Sequence, residues 1–151
     1  MVMDYRDRPV VQALLPPRED GVGAVHEDPF LDTPLVERIR TGLPMSEFRA
    51  LLALLRISEE ELGRLLGISP ATLNRRKKSK LLATPESERI VRFARLFGIG
   101  MEVFGEEEAT RQWLKAPNPG TGGESPLSYA DTEFGAREVE DLLGRLDHGV
   151  F

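Results

Sequence analysis

Apolar residues recur along this chain at intervals of three and four, in short stretches bounded by glycine or by a Ser/Thr-Pro pair. No stretch alternates with the period of two that a half-buried strand needs. Leu35, Val36 and Ile39 mark a first helix, which Thr33 caps, Pro34 starts and Gly42 ends. Met45, Phe48, Leu51, Leu52 and Leu55 make an apolar stripe on a second, from Pro44 to about Leu55. After residues 58 to 80, Thr84 and Pro85 open a helix over residues 85 to 97. It turns Ile90, Val91, Ala94, Leu96 and Phe97 inward, and Gly98 closes it. Glu106, Glu107 and Glu108 then begin a helix where negative charge suits its dipole, with Trp113 near its end and Pro117 beyond. Ser125 and Pro126 start a short turn through Tyr129. The last helix, about Ala136 to Asp147, carries Val139, Leu142, Leu143 and Leu146 on one face and Glu138, Glu140, Asp141 and Arg145 on the other. The expected fold is all-α.

The stretch SEEELGRLLGISPATLNRRKKSK, residues 58 to 80, carries the densest chemistry. Ser58 and Glu61 have capping-box spacing, and Leu62, Leu65 and Leu66 share a face. Gly67 is suited to the left-handed turn that stops this helix, and Ile68 anchors the turn. Ser69 is a second cap, followed by Pro70 at the first helical position. The helix from Pro70 to about Lys78 buries Leu73 and exposes Thr72, Asn74, Arg75, Lys77 and Lys78. That order reads as a DNA-binding helix-turn-helix, the alternative being a helical hairpin kept for packing. Its candidate DNA contacts are Ser69, Thr72, Asn74, Arg75, Arg76, Lys77, Lys78 and Lys80.

Charge sharpens the reading. The chain's 20 Lys and Arg face 25 Asp and Glu, a net −5. Residues 57 to 83 nevertheless hold six basic and three acidic groups, and residues 84 to 151 hold seven basic and 13 acidic ones. An acidic chain with one basic helix binds DNA weakly as a monomer, so a homo-dimer or higher oligomer is expected. The chain has no cysteine, which excludes disulfides and thiolate chemistry. His26 and His148 lack ligand-spaced neighbours, so no metal and no cofactor is expected. The glycines of residues 118 to 126 have no following Lys-Ser/Thr pair, and a connector is the better reading than a phosphate cradle. No apolar run nears the roughly 18 residues of a membrane span, and no signal-peptide pattern opens the chain. A soluble, cytoplasmic protein is expected. Residues 1 to 33 hold four prolines and no sustained periodicity, and read as a flexible N-terminal arm with a short ordered piece at Val10 to Leu15.

Several separated elements near the C-terminus agree in order: Trp113-Leu114, Asn118-Pro119, Gly122-Gly123, Pro126-Leu127, then a helix ending in His148-Gly149. This set resembles the Xre/MbcA/ParS toxin-binding domain, the C-terminal part of antitoxins that pair with RES-domain toxins. The upstream helix-turn-helix is similar to the Xre-like half of the same family, and together the resemblance covers roughly residues 40 to 151. Ser128 and Tyr129 stand where an aspartate often follows the Pro-Leu pair, with Asp131 nearby. The arm at 1–33 has no counterpart in the family, and for the rest the resemblance implies a helix-turn-helix domain at 34–98 and a toxin-binding domain at 99–151. It implies a type II antitoxin that covers the active site of an NAD-consuming RES toxin, associates with itself and represses its own operon. A pocket that grips the phosphates of NAD is electropositive, and an acidic module is a fitting plug. The expected contacts are Glu138, Asp141, Arg145, Asp147, His148, Gly149, Val150 and Phe151, the alternative being that Val150 and Phe151 fold back as the last core residues and His148 caps the helix.

Two other classes fit less well. A stand-alone regulator, with the C-terminal part only oligomerising, leaves the Trp-Leu to His-Gly pattern without a role. An enzyme would need Ser128, Tyr129, Asp131 and His148 to be ordered as nucleophile, base and orienter, and nothing in their spacing does so.

Overall fold

The computed structural model describes residues 9–15 and 33–149. Most of the expected N-terminal arm, together with Val150 and Phe151, lies outside the described residues. Every regular element among the described residues is helical, apart from an isolated bridge between Pro44 and Leu81. The chain divides into two compact units, residues 1–91 and 92–151, and the boundary falls within one helix.

In the first unit, the short helix α1 (Val10–Ala13) is followed by α2 (Thr33–Thr41), α3 (Met45–Leu55), α4 (Glu59–Leu65), α5 (Pro70–Ser79) and the start of α6 (Thr84–Phe104). Four of the five residues of the expected stripe are core, Met45, Phe48, Leu51 and Leu55, buried with Leu43, Leu62, Leu66, Leu73, Leu82 and Ile90, while Leu52 is only half-buried. Helix α1 packs on α3, and the ordered piece expected at Val10 to Leu15 belongs to this core. Val10 and Val11 bury their side chains, and their N–H groups donate to Glu47 Oε1 and Oε2 at 2.8 and 3.0 Å. The first N–H groups of any helix lack intrahelical acceptors, and here a buried carboxylate supplies them.

The segments flanking α2–α3 and α5–α6 are joined by backbone bonds. Met45 N–H donates to Lys80 C=O at 2.9 Å, and Leu82 N–H donates to Leu43 C=O at 2.8 Å. The fully buried Ser87 hydroxyl completes the joint, accepting from Leu43 N–H and donating to Ala83 C=O, both at 2.9 Å.

The second unit continues α6 and adds α7 (Glu107–Lys115), a single 3-10 turn (Pro119–Thr121), α8 (Pro126–Tyr129) and α9 (Glu133–Asp147). Two expected boundaries are corrected. Helix α6 does not close at Gly98; it runs on to Phe104 and ends at Gly105, whose φ is +76°. The apolar pattern continues through Ile99, Met101, Val103 and Phe104, and this outweighs a propensity cost of about 1 kcal/mol per helical glycine. Helix α9 begins at Glu133 rather than Ala136, because the Thr132 hydroxyl caps it by accepting from Gly135 N–H at 3.0 Å. Gly135 is itself a packing requirement: a Cβ there would lie 1.9 Å from the Tyr129 carbonyl oxygen.

Glu47→Ala should lower the unfolding free energy by about 2 kcal/mol or more, because two buried N–H groups lose their acceptors. Urea denaturation of the full chain measures this, and an unchanged midpoint would show that residues 9–15 contribute nothing to the fold.

Candidate functional site

The turn between α4 and α5 is built as its sequence foretells. Ser58 Oγ accepts from Glu61 N–H at 3.1 Å to start α4, and Ser69 Oγ accepts from Thr72 N–H at 3.2 Å to start α5. Gly67 sits between them at φ +71°. Its lack of a side chain serves a second purpose, since the Arg89 guanidinium occupies the place of a Cβ there and donates to Leu66 C=O. The helix-turn-helix is thus braced from behind by α6.

The outward side of α5 carries a short polar chain. Ser69 Oγ donates to Thr72 Oγ1 at 3.0 Å, and Arg75 Nη2 donates to the same oxygen at 3.4 Å. Ser69, Asn74, Arg75, Lys78 and Lys80 are exposed, while Thr72 is half-buried rather than exposed. The hydroxyl of Thr72 therefore holds Arg75 against the helix, and the guanidinium keeps its remaining donors toward solvent.

The cations of this run do not all face outward. Arg76 turns inward and pairs bidentately with Glu86, Nε to Oε2 at 2.9 Å and Nη2 to Oε1 at 3.0 Å. Glu86 Oε2 also accepts from Ala83 N–H at 2.7 Å, so one carboxylate holds both α5 and the start of α6. Hydrogen bonding to Glu86, with a smaller contribution from its charge, holds the Arg76 guanidinium above its ordinary pKa despite the opposing effect of desolvation. Lys77, expected to be exposed, is half-buried and its Nζ lies 2.5 Å from Glu59 Oε2 on α4. Spacing along α5 carries no sign of either partner, since Glu59 and Glu86 belong to other helices. Lys80 ends α5 in a left-handed conformation, and its carbonyl accepts from Met45 N–H.

In the second unit, Glu138, Asp141, Arg145, Asp147, His148 and Gly149 are all exposed along the outer side and end of α9. His148 is the C-cap, with its N–H donating to Gly144 C=O at 3.1 Å. Glu140, expected on the outer face, instead pairs with Arg95 of α6. The 118–124 connector is folded: Asn118 Oδ1 accepts from Gly120 N–H at 2.8 Å and the buried Thr121 hydroxyl donates to Glu124 C=O at 2.6 Å. Gly120 lies against Leu142, where a Cβ would come within 2.7 Å of its methyl. The Phe104 and Trp113 rings pack tilted at 44°, with centroids 5.8 Å apart. One feature escaped the periodicity altogether: Phe134, at the start of α9, is 79% exposed. Among the described residues no three His, Asp or Glu side chains converge as metal ligands do, and no helix is long and apolar enough to cross a membrane.

A braced helix-turn-helix followed by a separate helical unit defines a two-module DNA-binding class. Comparison with known proteins gives the family. Residues 34–95 match the antitoxin Xre-like helix-turn-helix domain, and residues 100–149 match the antitoxin Xre/MbcA/ParS C-terminal toxin-binding domain. Antitoxin Xre of Yersinia enterocolitica is 39% identical over 121 residues, 79% of this chain and 82% of that protein. Antitoxin Xre of Photorhabdus laumondii is 32% identical over 114 residues, 74% of this chain and 77% of that protein. A Sphingobium protein named Prs ADP-ribosylating antitoxin is 27% identical over 123 residues, 75% and 77% of the two chains. The chain belongs to the Xre family of toxin–antitoxin systems, with a helix-turn-helix domain and a toxin-binding domain.

Arg76→Ala should lower stability by about 1–3 kcal/mol, since it strips a partner from a buried carboxylate. Lys78→Ala should stay within about 0.5 kcal/mol of the parent. Thermal melts of the two variants measure the difference, and equal melting temperatures would show that the Arg76–Glu86 pair carries no structural weight.

Proposed function

We propose that this chain is the antitoxin of a RES-domain toxin that consumes NAD, and that it represses its own operon through α5. The observation that carries the reading is the division of labour between the units. The first presents a polar and cationic helix braced from behind, and the second presents an acidic outer helix row that takes no part in that bracing. The relative named as an ADP-ribosylating antitoxin supports a partner of related chemistry, because ADP-ribosyl groups are drawn from NAD. The resemblance of the whole 34–149 stretch to Xre antitoxins supports the pairing with a RES protein.

On DNA, Arg75, Asn74, Thr72 and Ser69 read base edges in the major groove, while Lys78 and Lys80 contact phosphate. Arg76 and Lys77 serve the reader from behind, through Glu86 and Glu59. Few outward cations per copy on an acidic chain give weak binding, so operator recognition uses a homo-dimer or larger assembly. On the toxin, Glu138, Asp141, Arg145, Asp147, His148 and Gly149 of α9 line the contact. Val150 and Phe151 extend it into the electropositive mouth that holds NAD. The role is one of binding and occlusion, not catalysis.

Variants separate the two activities. In cells expressing the neighbouring RES-type reading frame, Asn74→Ala with Arg75→Ala should abolish repression of an operator–reporter fusion and still protect growth. Removal of residues 149–151 should do the reverse. Loss of both activities in either variant would overturn the two-module reading. Full repression by the first variant would return α5 to a packing role, and full protection by the second would leave the plain regulator with an oligomerising C-terminal unit.

A further inference from the structure

Phe134 is the most exposed large apolar side chain among the described residues, at 79% against 48% for Leu81 and 44% for Val36. Its place on α9 gives it no task within the fold. Thr132 caps the helix, so a hydrophobic staple would use Asp131 and Ala136, and Phe134 lies at neither position. Negative charge, not an aromatic ring, favours the first turn of a helix, and Glu133 already supplies it. Phe134 does fall on the outward row of α9, in helical register with the exposed Glu138, Asp141 and Arg145. That row spans about 20 Å from Phe134 to His148, at about 1.5 Å per residue.

From this alignment we infer that Phe134 is the apolar anchor of the toxin interface, resting on the antitoxin assignment proposed above. The toxin footprint runs the length of α9 rather than gathering at its C-terminal end. Phe134 enters an apolar pocket on the toxin surface, and the acidic groups one to two turns away face the cationic rim of the mouth that grips the phosphates of NAD. Interfaces concentrate their energy in such a desolvated aromatic residue, with charged neighbours that exclude water and steer association. The charge balance favours the toxin over a second copy as occupant. Residues 92–151 hold six basic and eleven acidic groups, and self-pairing would set one acidic unit against another. Of those six bases, Arg92, Arg95, Arg111 and Arg137 are already paired with acids of the same unit. The Phe134 ring is also a rigid contact with only two side-chain torsions, so little freedom is lost on docking.

Binding of the full chain to the purified RES-type product of the adjacent gene tests the inference, by calorimetry and by sizing of the free chain. The parent chain should bind; its failure to bind would overturn the antitoxin reading and the anchor with it. Given parent binding, Phe134→Ala should weaken the complex about 30-fold or more, as expected of a truncated aromatic hot spot. Phe134→Leu should recover part of that loss, and Arg137→Ala, an exposed neighbour, should change affinity less than about threefold. Both Phe134 variants should melt with the parent, since the ring makes little contact with the fold. Unchanged affinity in Phe134→Ala overturns the inference. So does a change in the free chain's oligomeric mass with affinity intact, which would assign the residue to self-association.

Discussion

Helix α5 depends on a buried polar joint behind its C-terminal end. Leu43, Met45, Lys80 and Leu82 exchange backbone hydrogen bonds there, and Ser87 satisfies the Leu43 N–H from α6. Glu86, one residue earlier on α6, holds Arg76 of α5 and the Ala83 N–H together. Buried donors and acceptors left without partners cost about 1–3 kcal/mol each, so this set is satisfied together or disrupted together. Because α5 is fixed at its end by the joint and at its start by the Ser69 cap, its outward side chains have a set direction. Arg75 gains a further constraint from Thr72 Oγ1. A side chain held in one geometry loses less freedom on binding.

In the second unit close approach takes the place of a polar joint. Gly100 admits the Thr110 methyl, Gly120 admits Leu142, and Gly135 admits the Tyr129 carbonyl, each nearer than a Cβ would allow. These contacts tie α6 to α7, the 118–124 connector to α9, and α8 to α9. They let short elements pack tightly enough to bury Leu114, Leu127, Val139 and Leu143. With α9 seated in this way, Phe134, Glu138, Asp141, Arg145 and His148 are left exposed along it.

Local signals were legible in the sequence, and pairings between distant residues were not. Ser58, Gly67, Ser69 and Pro70 act within four residues of their effect, so the helix-turn-helix could be read from spacing alone. The stripe from Met45 to Leu55 was legible because 3.6-residue periodicity survives burial. Gly98 misled, since helix termination weighs one glycine against the apolar residues that follow it. Arg76 looked like one more cation in a run, and only the fold brings Glu86 to it. The docking of α1 hung on Glu47, a charged residue within an otherwise apolar helix face whose buried state no local rule foretells. Phe134 would have been flagged by asking which apolar residue fell outside the inward face of α9.

On the proposed function, the second unit closes the toxin's NAD site. The direct measurement is a titration of NAD consumption by the purified RES-type partner against increasing amounts of the full chain. Occlusion of the site gives a linear fall to no activity at a fixed molar ratio, with NAD and antitoxin competing for the enzyme. Residual NAD consumption at saturation, or inhibition that NAD does not relieve, would contradict occlusion of the site.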